Sequence, residues 1–220
     1  MSKAAKVAVW VGFAVMMGIG CNPISTAYFL FRGDSKNPAE HPLPPKDGRK
    51  EVTVAVLVTA PNVPREFAAV DRELSAAIGR RLQDQTKAGK VPIKPVETAK
   101  LDKFKATNPE WRSAMSSTDV GKQLGVDYVL DLTLEQVGLY EPGSGKLMYQ
   151  GQATIEATVY DVAAGQELAH YFVNPTMDSR PSDSMLMAQY KAKLLERIAD
   201  EVTWKHVAHA NDQQIVPPTR

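Results

Sequence analysis

Apolar and polar positions follow two rhythms along this chain, and each rhythm marks an element. Residues 52–58, VTVAVLV, are almost wholly apolar and β-branched, the pattern of an interior strand covered on both faces. The period then changes in PREFAAVDRELSAAIGRRLQDQ. Phe67, Val70, Leu74, Ile78 and Leu82 recur every three or four residues and predict one apolar face of a helix, with Pro64 suited to its first turn. VPIKPVETA, residues 91–99, predicts a short strand that Pro92 and Pro95 confine to an edge or an irregular form. AKLDKFKATNPEWRSAM predicts one or two short helices broken at Asn108-Pro109. Ser117, Thr118 or Asp119 caps the next helix, VGKQLG, which Gly125 ends.

The second half returns to a period of two. In VDYVLDLTLEQV, residues 126–137, Tyr128, Leu130, Leu132 and Leu134 share one face and Val129, Asp131, Thr133 and Glu135 the other. In LMYQGQATIEATVYDV, Tyr149, Gly151, Ala153, Ile155, Ala157 and Val159 alternate with Gln150, Gln152, Thr154, Glu156 and Thr158. That alternation predicts an antiparallel hairpin with one packed and one polar face. DVAAGQ is a turn and ELAHYFV a third strand. A final helix, capped by Ser182 or Asp183, runs to about His206 with Met187, Tyr190, Leu194, Ile198 and Val202 as its buried stripe. The predicted class is α+β: a mixed, largely antiparallel sheet with helices packed on one face, in the order β-α-β, short helices, β-β-β-α.

The amino terminus is of another kind. Lys3 and Lys6 precede VAVWVGFAVMMGIG, residues 7–20, which carries no charge. That is the charged and then apolar layout of a secretory signal, and the run is shorter than the roughly 20 residues a spanning helix needs. Gly20 directly before Cys21 resembles the lipobox of bacterial lipoprotein signals. The resemblance implies cleavage after residue 20 and a lipid on Cys21. The alternative is an anchor retained over residues 7–31, because NPISTAYFLF is also uncharged, although Asn22-Pro23 argues against one continuous helix. The aromatic run Tyr28, Phe29 and Phe31 can lie in a membrane interface, on the folded domain or on a partner. GDSKNPAEHPLPPKDGRK, residues 33–50, has four prolines and many charges and reads as a linker. The domain plan is therefore a signal at 1–20, a lipidated tether and linker at 21–50, a globular domain at 51–208 and a disordered tail at 209–220.

Four segments carry a family resemblance. VAVLVTAPN looks like a first strand and its turn, and RELSAAIGRRLQ like the helix after it. GKQLGVDYVLDLTL and IEATVYDVAAGQEL look like the strand entry and strand-turn-strand that follow. Together, over residues 52–173, they resemble the amino-terminal domain of TolB and the periplasmic domain of CsgG-type curli-secretion lipoproteins. The long membrane hairpins of a curli pore are not visible, and no propeller follows. The resemblance implies an envelope setting, protein partners and no enzymatic activity.

Composition removes several other classes. Basic residues number 26 against 25 acidic, and loss of residues 1–20 moves the net charge from +1 to −1, so no basic field points to nucleic acid. One cysteine leaves no intramolecular disulfide and no multi-cysteine metal site. EPGSGK, residues 141–146, resembles a phosphate loop only superficially. Tyr140 stands where the first glycine belongs, and Leu147 where Ser or Thr should follow Lys146.

His206 and His209, with His41 or His170, have no carboxylate at ligand spacing and read as solvated helix-end residues, so neither a metal nor a cofactor is expected. The acids Asp127, Asp131, Asp161, Glu135 and Glu156 read as a solvated sheet face. The serines at 113–117 and 182–184 read as caps and turns, and Trp111 and Trp204 as packing residues. Tyr140 and Tyr149 bracket the hairpin and, if exposed, are the aromatic anchors for a partner. The expected function is a non-catalytic, lipid-anchored accessory in envelope assembly or secretion. The alternatives are a single-span envelope protein and an envelope hydrolase. Asn22, where Asp would favour inner-membrane retention, points toward the outer membrane.

Overall fold

The structure, a computed structural model, describes residues 36–46, 48–87 and 92–210. The expected signal, Cys21, the aromatic run at 28–31 and the tail beyond residue 210 lie outside the described residues. The chain divides into two units, residues 1–37 with 210–220, and Pro38–His209. The second unit holds the elements below.

β1 (Val52–Thr59) is followed by a 3-10 turn at Arg65–Phe67 and by α1 (Val70–Thr86). β2 (Ile93–Pro95), α2 (Thr98–Thr107), α3 (Trp111–Ala114) and α4 (Ser117–Leu124) come next. β3 (Tyr128–Tyr140), β4 (Met148–Asp161) and β5 (Gln166–Val173) form the meander. β6 (Arg180–Pro181), a 3-10 turn at Ser182–Ser184 and α5 (Met187–Trp204) complete the unit. Among the described residues the six strands make one sheet in the order β2-β1-β3-β4-β5, with β6 on β4. β1 pairs parallel with β2 and β3, and the β3, β4 and β5 pairs are antiparallel. The predicted α+β order is therefore the observed one.

Why the sheet sits where it does follows from β1. Val54, Val56 and Val58 face the larger core and Ala55 and Leu57 the smaller, so a strand apolar at every position from Val54 to Val58 is buried on both sides. α1 and α5 cover the first face. They are joined there by Lys191–Glu73 at 2.8 Å and Arg81–Asp200 at 3.0 Å. The Ser75 hydroxyl donates to the Val56 carbonyl at 2.8 Å and ties α1 to β1. Leu101, Trp111, Val120 and Leu124 of the short helices cover the opposite face over β1 and β3. α4 lies so close that a Cβ at Gly121 would stand 2.4 Å from Val162 and 2.7 Å from Val129.

Four local expectations change. The α1 region starts with a separate 3-10 turn, because Pro64 is extended and the helix restarts at Val70. α4 is capped by Ser116, one residue earlier than expected, whose oxygen accepts from the Asp119 N–H; Gly125 ends it in the left-handed conformation at φ 68°. α5 begins at Met187 with Leu186 before it, not at Ser182 or Asp183, and Met187 is exposed while Tyr190, Leu194, Ile198 and Val202 are buried. β3 runs on to Tyr140: a bulge at Glu135 inverts the alternation, so Val137 and Leu139 rejoin the core that holds Leu134.

Part of the expected linker also belongs to this unit. Leu43 is buried in the larger core, and the Tyr128 hydroxyl donates to the Pro44 carbonyl at 2.8 Å. Lys46 pairs with Asp161 and Arg49 with Asp127. This proline-rich sequence is pinned to the unit by these contacts.

Candidate functional site

The β3–β4 hairpin carries the predicted aromatic anchors. Its connection, Glu141–Leu147, is the turn that its glycines allow: Gly143, Gly145 and Lys146 all have positive φ. Tyr140 and Tyr149 pair across the hairpin with ring centroids 5.3 Å apart, and Lys146 Nζ lies 5.5 Å from the Tyr140 ring centroid. Tyr149 is buried, stacked on Tyr190 of α5 at 4.6 Å, while Tyr140 is half-buried. The Tyr190 hydroxyl accepts the Gly151 N–H at 2.8 Å. Tyr149 therefore belongs to the core, and Tyr140 is the member of the pair with an open face.

The sequence pattern did not single out what surrounds this pair. Ser182 N–H donates to the Leu147 carbonyl at 2.9 Å, and β6 pairs with Met148 and Tyr149. The 180–187 segment and the hairpin thus reach the same end of the sheet. Leu147 is 73% exposed, Leu186 69% and Met187 42%. The helix phase gave no signal of this, since Met187 falls in step with the buried stripe of α5 and is nonetheless exposed.

The acids are distributed and occupied. Asp127 is buried and accepts the Thr53 N–H and hydroxyl, both at 2.8 Å, besides Arg49. Asp161 accepts the Ala164 N–H at 2.8 Å besides Lys46. Glu156 faces His170 at 2.8 Å, and Glu135 is exposed at the bulge. Asp127 and Asp161 come to the same end of the sheet, each with its own cation from the segment before β1. Asp131 takes Arg112 at 2.8 Å and the Ser117 hydroxyl at 2.5 Å, and Arg112 also donates to the Thr59 hydroxyl. Asp131, Arg112 and Ser117 line a cleft of about 420 Å³ with Trp111 and Tyr160, and Thr59 lines a second one of about 360 Å³ that shares Trp111 and Arg112 with it. Arg112 and Thr59 were missed because the fold, not the spacing, brings them to Asp131. Ser117 of α4 and Arg112 of α3 both donate to Asp131 of β3, so the arrangement braces α3 and α4 on the sheet.

The histidines correct one expectation. His206 is not solvated: it is 4% exposed, beyond the end of α5. Its Nε2 lies 2.6 Å from the Tyr171 hydroxyl and its Nδ1 2.9 Å from the His41 carbonyl. A carbonyl only accepts, so Nδ1 carries the proton and Nε2 accepts from Tyr171. Burial pushes the His206 pKa down to about 4 and pushes the Tyr171 phenol up. The His41 ring stacks on Tyr171 at 5.0 Å, and Lys205 pairs with Glu40 at 2.8 Å. Both ring nitrogens of His206 are thus committed within the protein. His170 lies on the opposite sheet face, and His209 stacks on Trp204 at 4.9 Å. Among the described residues no group of three or more His, Cys, Asp or Glu could hold a metal, and no helix is long and apolar enough to cross a membrane.

No family model matches the chain, and no curated protein matches it. Solved structures do. Lipoprotein GNA1162 from Neisseria meningitidis is 14% identical, covering 69% of this chain and 97% of its own, with a TM-score of 0.41. A PelC dodecamer from Paraburkholderia phytofirmans is 10% identical, covering 79% and 96%, with a TM-score of 0.42. TolB from Acinetobacter baumannii is 13% identical over 78% of this chain and 28% of its own, with a TM-score of 0.33.

Proposed function

We propose that this protein is a lipid-anchored component of the bacterial cell envelope that binds another envelope protein and catalyses no reaction of its own. The anchor is the lipid on Cys21, placed by the charged, apolar and small-residue sequence ahead of it. The observation that carries the binding role is the exposure of Leu147 on the hairpin that bears the half-buried Tyr140, and of Leu186 and Met187 after the segment paired to that hairpin. Aromatic and aliphatic side chains gathered at one exposed end are the usual core of a protein–protein contact. The commitment of Asp131, Asp127 and His206 to internal partners supports a binding role over a hydrolytic one. The role is accessory to envelope assembly or secretion, with the outer membrane as the site of anchoring.

Two measurements test this. Mass spectrometry of the mature protein should find an acylated Cys21 at the amino terminus, and Cys21→Ser should leave an unprocessed chain. A photo-crosslinking side chain at Leu147 should trap one discrete envelope protein in cells, and Tyr140→Ala with Leu186→Lys should abolish that product. An intact amino terminus, or a crosslink indifferent to those substitutions, refutes the corresponding half of the proposal.

A further inference from the structure

The sheet has two outer strands, and the chain treats them differently. β2 is three residues long, holds Lys94 and Pro95 and is preceded by Pro92. β5 is eight residues long, without a proline or a lysine, and pairs only with β4 among the described residues. Leu168, His170 and Phe172 project from the face opposite the larger core, and Leu168 and Phe172 are 45% and 50% exposed. Phe172 meets His170 edge-on at 5.4 Å, and Glu156 holds His170 from β4. A strand edge presents unpaired N–H and C=O groups, and most proteins blunt it with lysine, proline, bulges or a cover. β5 has a bulge that leaves Leu168 without a direct partner on β4, and its regular stretch from there to Val173 is unguarded.

We propose that β5 is the contact strand of a homodimer, pairing antiparallel with β5 of a second copy so that the two sheets continue into one. The strand's own sequence identifies the occupant. Two-fold pairing centred on His170 sets Leu168 of each copy opposite Phe172 of the other, and Ala169 opposite Tyr171. Side chains directly opposite in an antiparallel pair stand close enough to pack. Both exposed apolar side chains therefore gain an apolar partner, twice by symmetry. A slip of one pairing step sets Leu168 or Phe172 against His170 and loses this match. Glu167 falls opposite Val173, away from Glu167 of the second copy, and the two His170 side chains meet at the two-fold axis, each held by Glu156 of its own β4. An isologous contact closes at two copies. It also leaves the hairpin end free, so the inference stands or falls separately from the binding role proposed there.

The test uses the full chain in detergent with Cys21→Ser, so that only an introduced cysteine can bridge. Directly opposite Cα atoms in an antiparallel pair are roughly 4.5–5.5 Å apart, within disulfide reach. Under mild oxidation His170→Cys should give a covalent dimer, and Lys103→Cys on exposed α2 should not. Adding Leu168→Lys should lower the yield about tenfold, because symmetry removes two cross-strand pairs. Adding Phe172→Glu as well should restore the yield, since the new ammonium then faces the new carboxylate across the pair. Sedimentation of the chain without an introduced cysteine should report twice the monomer mass. A monomer mass, no bridge at position 170, a bridge indifferent to Leu168→Lys, or no rescue by the double change overturns the proposal.

Discussion

β2 and β5 bound the same sheet, yet one is closed and the other open. β2 lies beside the doubly buried β1, in the half where α1 packs on one face and α2 to α4 on the other; Pro95 lies against Gly79 of α1. Its few residues and two prolines leave little backbone to offer. β5 lies in the half where α5 covers one face and the other stays polar apart from Leu168 and Phe172. Even there, the outer side of β4 beyond β5 is covered. Residues 175–182 run along it, with the Ala153 N–H bonded to the Pro175 carbonyl and the Met177 N–H to the Gly151 carbonyl. The unguarded stretch is thus confined to β5. The contrast teaches that exposure here is local: the fold spends proline, lysine and irregular chain on every other edge.

The comparison can be broken at several points. In the closed half, Leu57→Ala removes a fully buried side chain wedged among Leu101, Trp111 and Val129. It should cost about 2–5 kcal/mol, read as a fall in the denaturant midpoint with unchanged slope. In the open half, acid should act through His206. Its folded pKa of about 4 lies below the unfolded value of 6.5, so the unfolded chain binds the proton first. Stability is therefore fully present above pH 6.5 and falls as the pH drops toward 4, by on the order of 3 kcal/mol. His206→Gln should flatten that part of a pH series of unfolding curves, and an unchanged slope would show that the buried imidazole is not the group responsible. Gly121→Ala drives a methyl group into Val162 and Val129 and should cost about 1–3 kcal/mol, with α4 loosening first in hydrogen exchange. Phe172→Ala, on the exposed face of β5, should change the stability of the monomeric unit by no more than about 0.5 kcal/mol. A larger loss would mean that this side chain is buried in the folded protein, and the contrast between the edges would disappear.

Much of the architecture was legible because the information is local. A period of two in residues 148–159 gives β4 and its buried face, and a period near 3.6 gives α1 from Val70 to Leu82. Pro92 and Pro95 announced an edge. The departures also have local causes that periodicity does not register. Glu135 is an extra residue on β3 and inverts the pattern beyond it, and Ser116 outcompetes the three polar residues after it for the cap of α4. The sites were less legible. Tyr140 and Tyr149 share one rung of the ladder, yet one stays half-buried at the rim and the other packs under α5, because Tyr190 stacks on Tyr149.

The sequence by itself determined the elements, their order and the apolar face of each long helix. All of these depend on neighbours within a few residues. Only the tertiary structure decided that the short helices close the second face of the sheet, that Arg112 and Ser117 meet on Asp131, and that His206 is buried between Tyr171 and a carbonyl 165 positions away in the chain. Those outcomes depend on which surfaces come together when the sheet and helices pack. Burial there is a property of the assembled layers, so no single stretch of the chain records it.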